Sequence, residues 1–377
     1  EERKMQPHYF LLDASTLPDE LHTPETPAEH WLERCQTAGP EGFPANSLAV
    51  VSPLDTFTHV ERLVGIPFYL LLNVLPFALP FAFLLPVHFL LLPLAVYGGA
   101  LLVAAMPFVY YYRNETGGIF APTNVGPRVS QYLYTERNTT KYMSLRVLWP
   151  RAVHDKPADR PVLFLAIPHG FAPLGITGYS IWSKIFGPLC RWTTAPVVLK
   201  IPIVGGFMRR VGYIAAEKKA IEETLVKRSE SVGVVLDGIA GMFHPGSATK
   251  EVAYVRKRKG IVKIALRAGA TIVPVYCFGH NDLYRIVTDP FGLLRALSMR
   301  LDTSVVLGLG RWFWPLGPPR RVPITVALGQ PIECPQMDDP ASSDVDEWHK
   351  QLLAGFEAVF DTHKAACGAS HKQLAFI

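Results

Sequence analysis

Hydrophobic and polar positions fall into three regimes along this 377-residue chain. Residues 14–62 mix Pro, Glu and Thr without a sustained period, which predicts a loosely ordered arm. From Leu63 to Tyr112 the chain runs 50 residues without a single Asp, Glu, Lys or Arg. As one helix this run would measure roughly 75 Å against roughly 30 Å of bilayer hydrocarbon, so it predicts a hairpin of two apolar segments of about 20 residues. The turn is expected near Pro86-Val87-His88, and prolines 67, 76, 80, 86, 93 and 107 punctuate the run. A buried pair of core helices would be shorter and less uniformly apolar. A cleaved signal peptide would be shorter and nearer the start. His88 reads as a hairpin-tip residue rather than a proton relay.

From residue 161 onward short apolar runs alternate with helical patterns. Strands are expected at 162–167, 195–199, 232–236, 271–276, 305–309 and 324–328. A charged helix is expected over Ala215–Ser229, carrying Ile221 and Leu225, and a short amphipathic helix over Gly260–Gly269. Val345, Trp348, Leu352, Phe356 and Val359 recur at helical spacing, with Ser343 and Asp346 as a capping box. This alternation predicts an α/β fold, a mostly parallel central sheet wrapped by helices, preceded by the membrane hairpin. The organisation is therefore an acidic arm at 1–62, the hairpin at 63–112 and a cytosol-facing, membrane-associated domain at 113–377.

Charge sharpens this division. Residues 1–62 carry 4 basic and 11 acidic side chains, net −7, and residues 113–377 carry 33 and 21, net +12. A basic body behind an apolar anchor suits an anionic cytosolic membrane face or a polyanionic small substrate such as a nucleotide or coenzyme A. It suits nucleic acid less well, because the apolar run dominates the chain. Tyr110-Tyr111-Tyr112-Arg113 stands where an interfacial belt would. Both ends are expected on the cytosolic side, so Asn114 and Asn138, which fit the glycosylation pattern, are expected unmodified. Five scattered cysteines without a Cys-x-x-Cys pair read as free thiols, with no zinc site and no other metal site.

The chemistry concentrates at strand ends. Pro168-His169-Gly170 closes the apolar run 162–167, and imidazole titrates near neutrality, so His169 is a candidate general base. Three further blocks share this local logic: Ile201 to Ile214, Val234-Val235-Leu236-Asp237-Gly238, and Ile272-Val273-Pro274-Val275. In an open α/β sheet such ends converge on one crevice. Each block also has a plainer reading. A lone histidine is more often structural, Asp237 could merely cap a helix, and Arg209-Arg210 and Arg256 to Lys259 could be solvated faces. Gly205-Gly206 reads as a turn. No Gly-x-Ser-x-Gly elbow is present, which disfavours a serine hydrolase.

The four blocks together resemble the glycerolipid acyltransferase superfamily. More closely, the chain resembles the diacylglycerol acyltransferase type 2 family, through Arg258-Lys259-Gly260-Ile261-Val262-Lys263-Ile264-Ala265-Leu266-Arg267, Gly269-Ala270, Val273-Pro274, Phe278-Gly279, Asn281 and Tyr284. Gly310-Arg311, the segment from Ile324 to Ile332 and Asp361-Thr362-His363-Lys364 add to the likeness. The chain departs from the family's pattern at Ile167, where a His or Glu is usual, and at Gly241, where an acidic residue is usual while Asp237 takes a glycine position. It departs again at His280, which follows Phe-Gly where a Glu is usual, and Leu174 stands where the superfamily has an Asp.

The resemblance implies transfer of a fatty acyl group from acyl-CoA to diacylglycerol, making triacylglycerol, with His169 as base and no cofactor beyond acyl-CoA as co-substrate. Asp237 is the nearest candidate to orient the ring. Pro168, Gly170, Arg209, Gly238, Arg258, Lys259 and Gly260 are the expected substrate-binding residues, with backbone N–H groups near Gly170 as oxyanion donors. The resemblance further implies an endoplasmic reticulum membrane protein, with lipid droplets as a second expected location, whose partners are acyl-CoA, diacylglycerol and membrane lipids. Homo-oligomerisation stays open. Monoacylglycerol, a long-chain alcohol or a lysophospholipid are alternative acceptors, and a non-catalytic lipid-droplet scaffold is the alternative of another class.

Overall fold

The computed structural model describes residues 9–13, 30, 33–38, 142–154, 160–176, 190–200, 204–210, 212–244, 246–287, 289, 291–301, 306–313 and 319–377. The hairpin expected at 63–112, the belt at 110–113 and the two Asn-x-Thr sites lie outside the described residues. Among the described residues no helix is long and apolar enough to cross a membrane.

The centre is a ten-stranded sheet. Its strands are β1 (Tyr9–Asp13), β2 (Gln36–Ala38), β3 (Arg146–Pro150), β4 (Val162–Ile167), β5 (Arg191–Thr194), β6 (Ile214–Ala215), β7 (Val232–Val235), β9 (Thr271–Phe278), β12 (Thr325–Leu328) and β13 (Ile332–Glu333). The order is β2-β1-β3-β12-β9-β4-β7-β5-β6, with β13 against the start of β9. Pairing is parallel from β9 through β4, β7 and β5 to β6. On the other side of β9 it mixes, because β12 runs antiparallel to β9 but parallel to β3, and β1 is antiparallel to both β3 and β2. The sheet is therefore mixed, with five parallel and four antiparallel pairings. The acidic arm at 1–62 supplies two of its strands, and β2 falls within the stretch expected to be loose.

The parallel half is buried on both faces, as such strands require. Every residue of β4 is buried. Phe164 and Ala166 face one apolar cluster with Trp149, Val273, Val275 and Val326. Leu163, Leu165 and Ile167 face the other, beneath the helices that cover it. The helices are α1 (Pro196–Lys200), α2 (Val204–Arg210), α3 (Lys218–Glu222), α4 (Gly238–Met242), α5 (Gly260–Ala268), α6 (Leu293–Leu301) and α7 (Ser342–His363). Helix α5 buries Ile261, Val262, Ile264, Ala265 and Leu266 and ends on Gly269 at φ 58°, a left-handed cap suited to glycine. Helix α7 lays Leu352, Phe356, Val359 and Phe360 on the same face.

Four local expectations change. The segment 195–199 is not a strand: the strand lies at 191–194, and Pro196, lacking an N–H, opens α1. Of the strand expected at 305–309, among the described residues 306–309 only Gly308–Leu309 is a strand, β11, paired with β10 (Arg285–Ile286) in a separate two-stranded sheet. The charged helix begins at Lys218 and continues as a π-turn over Glu223–Lys227, with Ile221 and Leu225 buried. The cap of α7 is built two residues earlier than Ser343 and Asp346, where the Asp344 carboxylate accepts the Ala341 N–H at 2.9 Å. A last strand, β14 (Gln373–Phe376), lies parallel to β8 (Lys250–Ala253).

Candidate active site

Three neighbouring strands deliver the polar residues of one cluster. β4 ends at Ile167 and continues through a cis Ile167–Pro168 peptide into His169. β7 continues for one more rung, Leu236 N–H donating to Ala166 O at 2.9 Å, and then presents Asp237. β9 ends at Phe278, turns on Gly279 at φ 88° and presents His280. Because β9, β4 and β7 are adjacent and parallel, their carboxyl ends point the same way. This is the crevice expected of such sheets.

The backbone N–H of His169 donates to Asp237 Oδ2 at 3.1 Å. The His169 ring lies 2.9 Å through Nδ1 from Gly170 O. A carbonyl can only accept, so Nδ1 carries the proton and Nε2 holds the lone pair. Desolvation lowers the His169 pKa, while the Gly170 carbonyl opposes that shift. The ring is thus neutral at pH 7. Asp237 is engaged through the main chain of His169, and the carbonyl of Gly170 is what holds the ring.

Asp237 is buried, and burial raises its pKa to about 7 against the His169 N–H, which pulls it down. It stands at the start of α4 but makes no side-chain cap bond there. Its carboxylate instead occupies the space above Gly241, where a Cβ would overlap it. The carboxyl group at 237 and the missing side chain at 241 are therefore one steric arrangement.

His280 is the residue that sequence reasoning did not place in the site. It is fully buried. Its Nε2 accepts the Gly175 N–H at 3.0 Å, so its Nδ1 must carry the proton, which it donates to Pro168 O at 3.0 Å. One ring therefore grips the loop at His169 both before that residue and after it. Burial lowers its pKa to about 4, partly opposed by the Pro168 carbonyl. A Cβ on Gly170, whose φ is 60°, would sit 2.5 Å from His280 O, and one on Gly175 would sit 2.6 Å from His280 Nε2. Both glycines permit this close approach. The available signal was the departure from Glu after Phe278-Gly279.

The other predicted residues divide. Pro168 and Gly170 flank His169, and Gly238 follows Asp237. Arg258 is exposed, yet one guanidinium nitrogen comes within 3.8 Å of where a Gly238 Cβ would be, and its charge acts on Asp237. Lys259 pairs with Asp346 of α7 at 2.7 Å, and Gly260 opens α5. Arg209 is exposed near the end of α2, ahead of the edge strand β6.

The diacylglycerol acyltransferase family model matches residues 130–376. Human 2-acylglycerol O-acyltransferase 3 is 28% identical over 293 residues, 71% of this chain and 83% of its own. Diacylglycerol O-acyltransferase 2 of Dictyostelium discoideum is 26% identical over 307 residues, 77% of this chain and 89% of its own. Among solved structures, the 1-acyl-sn-glycerophosphate acyltransferase PlsC of Thermotoga maritima aligns with 13% identity and a TM-score of 0.38, over 65% of this chain and 84% of its own. With the family match covering most of its length, from before β3 through β14, the chain belongs to the diacylglycerol acyltransferase family.

Proposed function

We propose that the chain is a membrane-bound acyltransferase that moves a fatty acyl group from acyl-CoA to the free hydroxyl of an acylglycerol, with His169 Nε2 as general base. The observation that carries the assignment of the base is the Nδ1 to Gly170 O contact at 2.9 Å, which leaves Nε2 as the proton acceptor. Nε2 takes the hydroxyl proton as the acceptor oxygen attacks the thioester carbonyl carbon. The tetrahedral oxyanion would be met by backbone N–H groups of the loop at Gly170. Collapse breaks the carbon–sulfur bond, and the imidazolium returns the proton to the leaving thiolate. The products are the new ester and free CoA, and the route balances with no further cofactor.

Diacylglycerol is the proposed acceptor. Monoacylglycerol is the second reading, favoured by the relative named as a 2-acylglycerol O-acyltransferase. The apolar run at 63–112 and the net charge of +12 beyond it, from 33 basic and 21 acidic residues, support anchoring in the endoplasmic reticulum membrane with both ends cytosolic.

The test is a membrane assay with labelled acyl-CoA and a panel of acceptors, run on the wild type and on His169→Ala. Label should enter triacylglycerol with diacylglycerol supplied, and the variant should lose at least a hundredfold. A variant that keeps wild-type activity would remove His169 from the mechanism. Because burial lowers the pKa of the base from the ordinary 6.5, the acid limb of kcat/KM should fall at a lower pH than that of a free imidazole.

A further inference from the structure

Helix α6 turns its apolar side outward. Among the described residues six large apolar side chains are exposed, and three of them fall within seven positions: Phe291 at 84%, Leu293 at 69% and Leu297 at 40%. A helix packed on a core turns its apolar stripe inward. Here Leu293 and Leu297, about one turn apart, share the outer side, while Ser298 is fully buried. The setting is fixed at the start of the helix. Gly292 N–H donates to Asp289 O at 3.1 Å, and the Asp289 carboxylate accepts the Arg295 N–H at 2.8 Å. Arg300 follows Leu297 by three positions and shares its face. Arg295 and Arg300 are both exposed, and neither side chain forms an ion pair among the described residues.

Packing links α6 to the candidate site. Phe171, two residues beyond His169, packs on Tyr284 with ring centroids 4.5 Å apart, and Tyr284 precedes β10, the strand that leads toward α6. Arg285 of β10 lies 5.1 Å over the ring of Phe313, a further exposed aromatic. His244 comes just after α4, the helix that starts at Asp237. Burial, and after it the Arg295 charge, hold the His244 imidazole below its usual pKa, so α6 and the end of α4 are neighbours.

We propose that Phe291, Leu293 and Leu297 dip into an anionic membrane surface while Arg295 and Arg300 meet its lipid phosphates. This contact is separate from the apolar run at 63–112 and rests on the reading of the chain as membrane-bound. Exposed Phe and Leu with arginines beside them are the makeup of helices that lie in the headgroup layer. Arginine stems run along apolar surface and keep their charge at the phosphates. Charge decides against the other covers. The apolar run has no acid from Leu63 to Tyr112 to meet these arginines, and residues 291–301 have none to offer the same face of a second copy. An anionic leaflet supplies the missing charge. The docked face would hold the crevice beside the headgroup layer, where an acylglycerol presents its hydroxyl.

Spin labelling of the full-length protein in vesicles tests this. A nitroxide on Leu297→Cys reports whether oxygen, which concentrates in lipid, or a water-soluble nickel chelate relaxes it. Lys350→Cys, exposed on α7, is the aqueous reference, and the wild type labelled alike sets the background of the native thiols. In phosphatidylcholine vesicles containing phosphatidylserine, the Leu297 label should favour oxygen and the Lys350 label nickel. Adding Arg295→Gln with Arg300→Gln to the Leu297→Cys protein should move its label toward water, and so should omitting phosphatidylserine. Melting temperatures check that each variant is folded. A Leu297 label that responds like the Lys350 label overturns the docking face. So does one shielded from both reagents, because protein then covers α6. A label in lipid that ignores both the arginines and phosphatidylserine overturns the role given to the phosphates. The readout needs no turnover, so a docked label on protein that transfers no acyl group refutes the reaction alone. Carbonate extraction tests the anchor separately: protein stripped by it lacks the anchor, and the face then stands or falls on the label.

Discussion

At the scale of single residues, two buried groups titrate in opposite senses. His280 has a folded pKa of about 4 against 6.5, so between those values the unfolded chain takes a proton that the native state refuses. Its contribution to stability is complete above pH 6.5 and is lost as pH falls toward 4, on the order of 3 kcal/mol. Asp237 has a folded pKa of about 7 against 3.8, so the native state holds a proton the unfolded chain has released, and acidification from 7 to 3.8 favours folding. The two effects offset each other between pH 6.5 and 4. Asp237→Asn keeps an acceptor for the His169 N–H and removes the ionisation. It should be more stable than the wild type above pH 7, by about 1 kcal/mol or more, and should lose stability more steeply on acidification. Denaturant titrations across pH measure this, and parallel profiles would refute the pairing. Pro168-His169-Gly170 was legible in the sequence, since a strand end beside glycine needs only one local pattern. The role of His280 was not, because its two partners lie 112 and 105 positions away.

At the scale of elements, α4 shows where a general propensity should fail. Replacing a helix glycine by alanine ordinarily gains up to about 1 kcal/mol. At Gly241 the added Cβ would overlap the Asp237 carboxylate, and overpacking costs about 1–3 kcal/mol. Gly241→Ala should therefore destabilise the protein and break the Asp237 to His169 bond. A raised melting temperature would contradict the steric coupling. Helix α5 was readable because its apolar period and terminal Gly269 lie within ten residues. The strand expected at 195–199 failed because Val197, Val198 and Leu199 suit either structure, and Pro196 at a helix start decided between them. The capping box failed because Asp344 serves the N-cap three residues before it.

At the scale of the whole molecule, β14 fastens the back of the site. Glu251 of β8 accepts from Lys372 at 2.6 Å and from Asn281, beside His280, also at 2.6 Å. Arg256 donates through Nε to Phe376 O at 2.9 Å. Removal of residues 373–377 should lower the melting temperature by several degrees and reduce kcat more than it raises KM. Unchanged kcat in a stably folded truncation would separate β14 from the site. The parallel half of the sheet could be foreseen from runs buried on both faces. The antiparallel half could not, since β1, β2 and β3 are joined by pairing that no local pattern encodes. That same non-locality bears on the order of folding. The bonds that shape the loop at His169 close spans of 68, 105 and 112 residues, and distant closures are entropically late. The ring at 280 can grip the loop only after β9 has docked beside β4, so recovered catalysis during refolding should lag the return of helical signal.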